Sequence, residues 1–293
     1  MHYLHTRTAD DVLNTLKAYR DDLHEHSLRK PHWPLLDRLI SRETEMMPVW
    51  ENIAQQRLSW QQCHTLLEQI FFAGAYGTQD HNSRLKADYR RLTELNEKIA
   101  AQAASLSALL TEQGQILNRN AFSLERTTHI VDLIEMASEQ NGHYRSYLRD
   151  PLDALRSQYD GKYWPSLEQI LNVAAREIPE AEFLHRSEEA IVDGRGEAVP
   201  DYLRVLFDGI ETARSSHWKL PARFTLTDAS LAILVTVSLD TDNISNERVK
   251  MIRTRLYKEG FPGAWATPRR TSAQRSTAGG RAVNTASDDL KSP

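Results

Sequence analysis

A seven-residue apolar repeat between Leu85 and Leu117 constrains this chain more than any other feature. Leu85, Leu92, Ile99 and Leu106 recur at intervals of seven. Tyr89, Ala103 and Leu110 fall four places after Leu85, Ile99 and Leu106, and Leu117 continues that second frame. Alternating steps of four and three return to one side of an α-helix, so the segment predicts a helix on the order of 50 Å long with an apolar stripe along it. Such a stripe needs a partner helix, from this chain or from another. Asn96 interrupts it; a polar group there either fixes the register of pairing or lies at an exposed edge.

The rest of the chain carries helical punctuation. Thr8 before Ala9-Asp10-Asp11 predicts a cap over an acidic first turn, followed by an inward stripe of Val12, Leu13, Leu16, Tyr19 and Leu23. Pro31 and Pro34 break that helix, and Leu35, Leu36, Leu39 and Ile40 form the next. Pro48 predicts a fresh start that places Val49, Trp50 and Ile53 on one face. Ser59 to Gln62 and Ser166 to Gln169 both fit the reciprocal N-terminal cap. Asn82 or Ser83 is placed to cap the long helix, which frays near Gly114 or ends by Asn118–Asn120. Ser123 is placed to open the next helix, through Ile130, Leu133, Ile134 and Ala137. Residues 231–239 alternate like a strand and also fit a helix; Thr225 or Thr227 as a cap favours the helix. Ser245 opens a last helix with Val249, Ile252 and Leu256 inward, Gly260 stops it, and Phe261 packs back.

These readings predict an all-α protein: a multi-helix bundle with a long helical hairpin at about 84–140. Residues 1–82 form an N-terminal helical region. Residues 83–265 form the hairpin and a C-terminal bundle, packed with the N-terminal region as one unit. Residues 266–293, rich in Thr, Ser, Ala, Gly and Arg, read as a disordered basic tail. No apolar run reaches the roughly 20 residues that span a bilayer, and Met1 to Asp11 is polar, so the expectation is a cytoplasmic chain with no membrane partner. The single cysteine, Cys63, fits a reducing compartment.

Recognisable catalytic chemistry is scarce. No glycine-rich phosphate loop is present; Asp193-Gly194-Arg195-Gly196 reads as a turn. The eleven histidines include no pair at metal-ligand spacing around a glutamate, and His64 and Glu68 alone do not make a zinc site. Cys63 reads as a buried small residue rather than a nucleophile, and no Gly-x-Ser-x-Gly turn exists. No cofactor and no metal are expected, and the balance leans away from an enzyme. Met46, Met47 and Trp50 read as a helix–helix contact.

Two constellations remain as binding candidates. Tyr159, Asp160, Lys162, Tyr163 and Trp164 form an aromatic turn that either lines a ligand or partner pocket or is simply packed. Arg248, Lys250, Arg253, Arg255 and Lys258 stud the last helix. The ten basic and four acidic residues from Ser245 onward leave +6 there and −10 over the rest of a chain of net −4. A basic helix after a helix and turn suits nucleic acid, although the acidic connection from Asp240 to Ser245 is long for that motif; the alternative is a solvated face paired with the acidic body. The favoured expectation is a helical interaction or accessory protein, acting through a protein partner or self-association. Nucleic-acid binding through the basic helix and tail is the second.

Overall fold

A computed structural model describes residues 6–125 and 129–265. The described residues form an all-α, multi-helix protein without strands. The helices are α1 (Ala9–Glu25), α2 (Trp33–Ser41), α3 (Glu43–Ala54), α4 (Trp60–Tyr76), α5 (Gln79–Arg119), α6 (Ile130–Ala137), α7 (Arg149–Gln158), α8 (Leu167–Ala174), α9 (Arg186–Asp193), α10 (Ala198–Ser215), α11 (Asp228–Leu239) and α12 (Asn246–Lys258). The reading of 266–293 as a disordered tail lies outside the described residues.

Five helix starts follow the capping chemistry of the sequence. Thr8, Ser59 and Ser166 each accept from the N3 amide, while Asp11, Gln62 and Gln169 reach back to the cap amides. Thr227 caps α11, which settles 231–239 as helix, and Ser245 caps α12. Gly260 takes φ +92° after α12, and Phe261 behind it is buried.

Three starts differ from expectation. Pro48 lies inside α3, which begins at Glu43; the helix tolerates the loss of one amide because Met46, Val49, Trp50 and Ile53 are all buried on its inner face. The long helix begins at Gln79, where the Thr78 hydroxyl accepts from the His81 amide. Asn82 is buried instead and donates to the Asp201 carboxylate at 3.2 Å. Residues 121–125 are not helical, so Ser123 opens nothing; α6 begins at Ile130, with the His129 ring accepting from the Val131 amide at 3.3 Å.

The chain divides into two compact units, Met1–Ser83 with His185–Pro293, and Arg84–Leu184. In the first, α4 and α10 form the central pair, with α3 packed on α1 and α11. Trp50, Phe71, Tyr202, Phe207 and Phe224 are fully buried among Leu, Ile and Val side chains. At Gly77 a Cβ would stand 2.7 Å from the Tyr202 Cα, so only glycine allows the end of α4 to lie this close to α10. Arg38 on α2 donates to the carbonyls of Val237 and Ser238 at 2.7 and 2.6 Å, satisfying the C-terminus of α11 with a cation. Cys63 is buried beside Thr15 and Thr6, and desolvation pushes its thiol up to about 12, which makes it inert.

In the second unit, α6 and α7 are joined by ion pairs Arg156–Asp132 at 2.8 Å and Arg149–Glu135 at 2.9 Å. The segment 164–184 runs back along α5. Ser107 donates to the Glu168 carbonyl at 3.1 Å, Asn96 donates to the Pro179 carbonyl at 2.7 Å, and the Tyr89 and Phe183 rings stack at 5.1 Å. As one number falls the other rises, so the covering chain is antiparallel to α5. Asn96 thus anchors the returning chain through its side-chain amide.

Candidate interaction surface on α5

The returning segment covers only one edge of the apolar sector of α5. Ala100, Ala103, Ser107 and Leu110 are buried beneath it, and Tyr89, Asn96, Gly114 and Leu117 are half-buried. From Asn96 onward these positions step by three and four, and Tyr89 lies one heptad before Asn96, so they form one seam. A second seam lies about 100° around the helix. Leu92, Leu95, Ile99, Leu106, Leu109 and Ile116 form it, all exposed, from 36% at Ile116 to 61% at Ile99. Gln102 and Gln113 complete its heptad spacing. On one side α8 contributes Leu171 and Ala174, and with Leu95, Ile99, Gln102, Leu106 and Leu109 they line an open apolar groove of about 620 Å³.

The physical arrangement is that of a helix with two apolar seams and one partner. Small side chains (Ala100, Ala103, Ser107) occupy the covered seam, which lets the returning segment, α8 included, lie close. Branched side chains occupy the open one. Exposed apolar patches larger than a few hundred Å² are uncommon on chains without a partner and mark docking sites. The seven-residue stripe in the sequence straddled both seams: Leu92, Ile99 and Leu106 belong to the open one, and Tyr89, Ala103, Leu110 and Leu117 to the covered one. Leu95, Leu109 and Ile116 were missed. Their signal is a repeat offset by three from the first frame.

The aromatic turn is not a converged site. Tyr159 and Tyr163 pack edge to face at 5.8 Å on the surface, and Lys162 pairs with Asp160 at 3.4 Å while lying over the Tyr163 ring. Trp164 alone turns inward. Its Nε1 donates to the Tyr159 carbonyl at 3.4 Å, and its ring lines a pocket of about 390 Å³ with Leu110, Gly114, Leu117 and His129. Of the five residues, Trp164 faces this cavity, while Tyr159, Asp160, Lys162 and Tyr163 are exposed on the turn.

The basic helix α12 is split by burial. Arg248, Lys250, Arg255 and Lys258 are exposed, with Arg255 paired to Glu259 at 3.4 Å. Arg253 is 3% exposed. Its guanidinium donates to Asp228 at 2.7 and 3.3 Å and to the carbonyls of Ala264 and Trp265 at 3.2 and 2.8 Å, and it lies against the Trp265 ring. That group is committed to holding α12 and the following turn onto α11, and no phosphate can reach it.

Among the described residues, no group of three His, Cys, Asp or Glu side chains is placed to hold a metal ion, and no helix is long and apolar enough to cross a membrane. Comparison with protein-family models, with curated proteins and with solved structures yields no match.

Proposed function

We propose that this chain is a non-enzymatic helical interaction protein that docks an amphipathic helix along the open seam of α5. The observation that carries this reading is the row Leu92, Leu95, Ile99, Leu106, Leu109 and Ile116, exposed at heptad spacing beside a groove walled by α8. A partner helix with the same repeat buries that row and gains the apolar transfer energy that the chain forgoes alone.

The test is affinity capture from the native host, with nuclease present, using the wild-type chain and an Ile99→Glu/Leu109→Glu variant. Both side chains are exposed, so the fold tolerates the change. A protein captured by the wild type and lost with the variant supports the reading. Identical capture by the two defeats it.

A second reading, nucleic-acid binding, rests on the four exposed cations of α12, Arg248, Lys250, Arg255 and Lys258. It predicts salt-sensitive DNA retention that falls when Arg248, Lys250 and Lys258 are changed to Glu. Retention that survives those changes rejects it. Arg253 is left intact in this test because its removal disturbs the fold.

A further inference from the structure

Resting on the docking reading above, we propose that the occupant of the open α5 seam is the same seam of a second copy of this chain, packed antiparallel about a two-fold axis at the level of Ala104.

Residues 266–293 contain only Val283 and Leu290 as large apolar side chains. Among the described residues, Phe122 and Leu124 border one end of the seam, in a groove of about 390 Å³ shared with Leu109, Glu112 and Ile116, and leave Leu92 to Leu106 uncovered. The seam, in contrast, is complementary to itself. With the axis at Ala104, Leu92 meets Ile116 of the second copy, Ile99 meets Leu109, and Leu106 meets Gln102, each layer repeated on the other side of the axis. All six apolar residues are then used. Gln102 stands one layer from its own copy across the axis, where the two carboxamides can bond to one another. Gln113 falls opposite Leu95 towards the outer end, near water.

Charge favours the same arrangement. In an antiparallel helix pair, the residues preceding the first core position of each heptad face one another across the seam. Here Lys98 faces Glu112 of the second copy, and Glu112 faces its Lys98; both are exposed. Ser105 meets itself at the axis. Arg91 faces Arg119 of the second copy at the outer ends, where both are exposed to water and Arg91 also pairs with Glu94 of its own helix at 3.2 Å, so this like-charge contact is weak beside the two Lys98–Glu112 pairs. A parallel pair in register sets Lys98 against Ala103 and Glu112 against Leu117, and forms neither ion pair.

The area is also adequate. The six side chains expose roughly 500 Å² per copy, so that two copies bury about 1,000 Å², the size at which specific interfaces begin. Leu171 and the methylene stems of Lys98 and Gln102 add to it.

The experiment is sedimentation equilibrium of the full chain at concentrations up to about 100 µM. The wild type is expected to form a concentration-dependent dimer. Lys98→Glu and Glu112→Lys each replace two attractive contacts with two repulsive ones and weaken it about tenfold, and the double exchange restores it. Ile99→Glu/Leu109→Glu weakens it more than about a hundredfold while far-UV helicity is unchanged. A wild-type chain that stays monomeric overturns the inference. So does a dimer indifferent to the single charge reversals. A monomer whose host capture is still abolished by Ile99→Glu/Leu109→Glu separates the two ideas: self-pairing fails and helix docking stands.

Discussion

Replacing Arg253 by alanine tests whether the buried cation of α12 is structural. The side chain makes two bonds to Asp228 and two to the backbone carbonyls of Ala264 and Trp265. Removing one partner of a buried ion pair typically costs about 3–5 kcal/mol, because the other charge is left without compensation. Asp228 keeps 25% of its side-chain surface in contact with solvent, so water recovers part of that loss. The two orphaned carbonyls and the missing stem act in the opposite direction. The expected destabilisation is about 2–4 kcal/mol. Arg255→Ala, at an exposed pair on the same helix, is the control and should cost under about 0.5 kcal/mol. Urea unfolding followed by tryptophan fluorescence suits the measurement, since Trp265 lies over the Arg253 guanidinium and 5.6 Å from Phe207. An unfolding free energy for Arg253→Ala within about 0.5 kcal/mol of wild type would refute the assignment. Arg253→Lys keeps the charge but not the forked donors and should fall between the two.

Other substitutions probe the remaining elements. Gly77→Ala drives a methyl group towards the Tyr202 backbone and should cost about 1–3 kcal/mol by separating α4 from α10, read as a loss of thermal stability. The Asp11 carboxyl is held below its ordinary 3.8, first by the Arg7 amide and then by the amide and hydroxyl of Thr8. Its contribution to α1 is therefore full above the ordinary carboxylate range and disappears as pH falls through the lowered value. Asp11 is exposed, so water screens most of this gain; Asp11→Asn should cost no more than about 0.5 kcal/mol at neutral pH, with the gap from wild type closing in acid, and a gap independent of pH contradicts the cap. Cys63 should react with a thiol reagent only at the rate of unfolding, and rapid labelling of the native chain would contradict its burial.

Local chemistry was the readable part of the sequence. The caps at Thr8, Ser59, Ser166 and Ser245 depend on side chains within a few residues of the amides they serve, so their pattern is complete in a short window. The stop at Gly260 is equally local. Pro48 misled because a helix interior normally rejects proline, yet Met46, Val49 and Trp50 lie in a core that outweighs one missing bond. Asn82 misled for the reverse reason: its partner, Asp201, is on α10 and shares no local signal with it. Arg253 looked like its neighbours in a basic run, and only the helix phase that carries Val249, Ile252 and Leu256 inward takes its head group with them. The long stripe announced a helix with apolar surface to cover. It did not announce that the return from 164 to 184, with α8 inside it, would take one edge, because the side-chain bonds from Asn96 and Ser107 that hold it end on backbone carbonyls, which every residue has.

The first unit is assembled from two stretches of chain separated by the whole of Arg84–Leu184. During synthesis, α1 and α2 are available to pack on α4, as Tyr19 does on Phe71, but the side of α4 that carries Gln69 and Gly77 stays bare, because α10, which covers it, is made more than a hundred residues later. At roughly 5–20 residues per second, that greasy helix waits on the order of ten seconds for its mate, while the intervening segment is continuous and can close on itself at once. The nascent polypeptide is thus most vulnerable to misassociation in its first third, and that is where a chaperone or a solubilising substitution would have the greatest effect on yield.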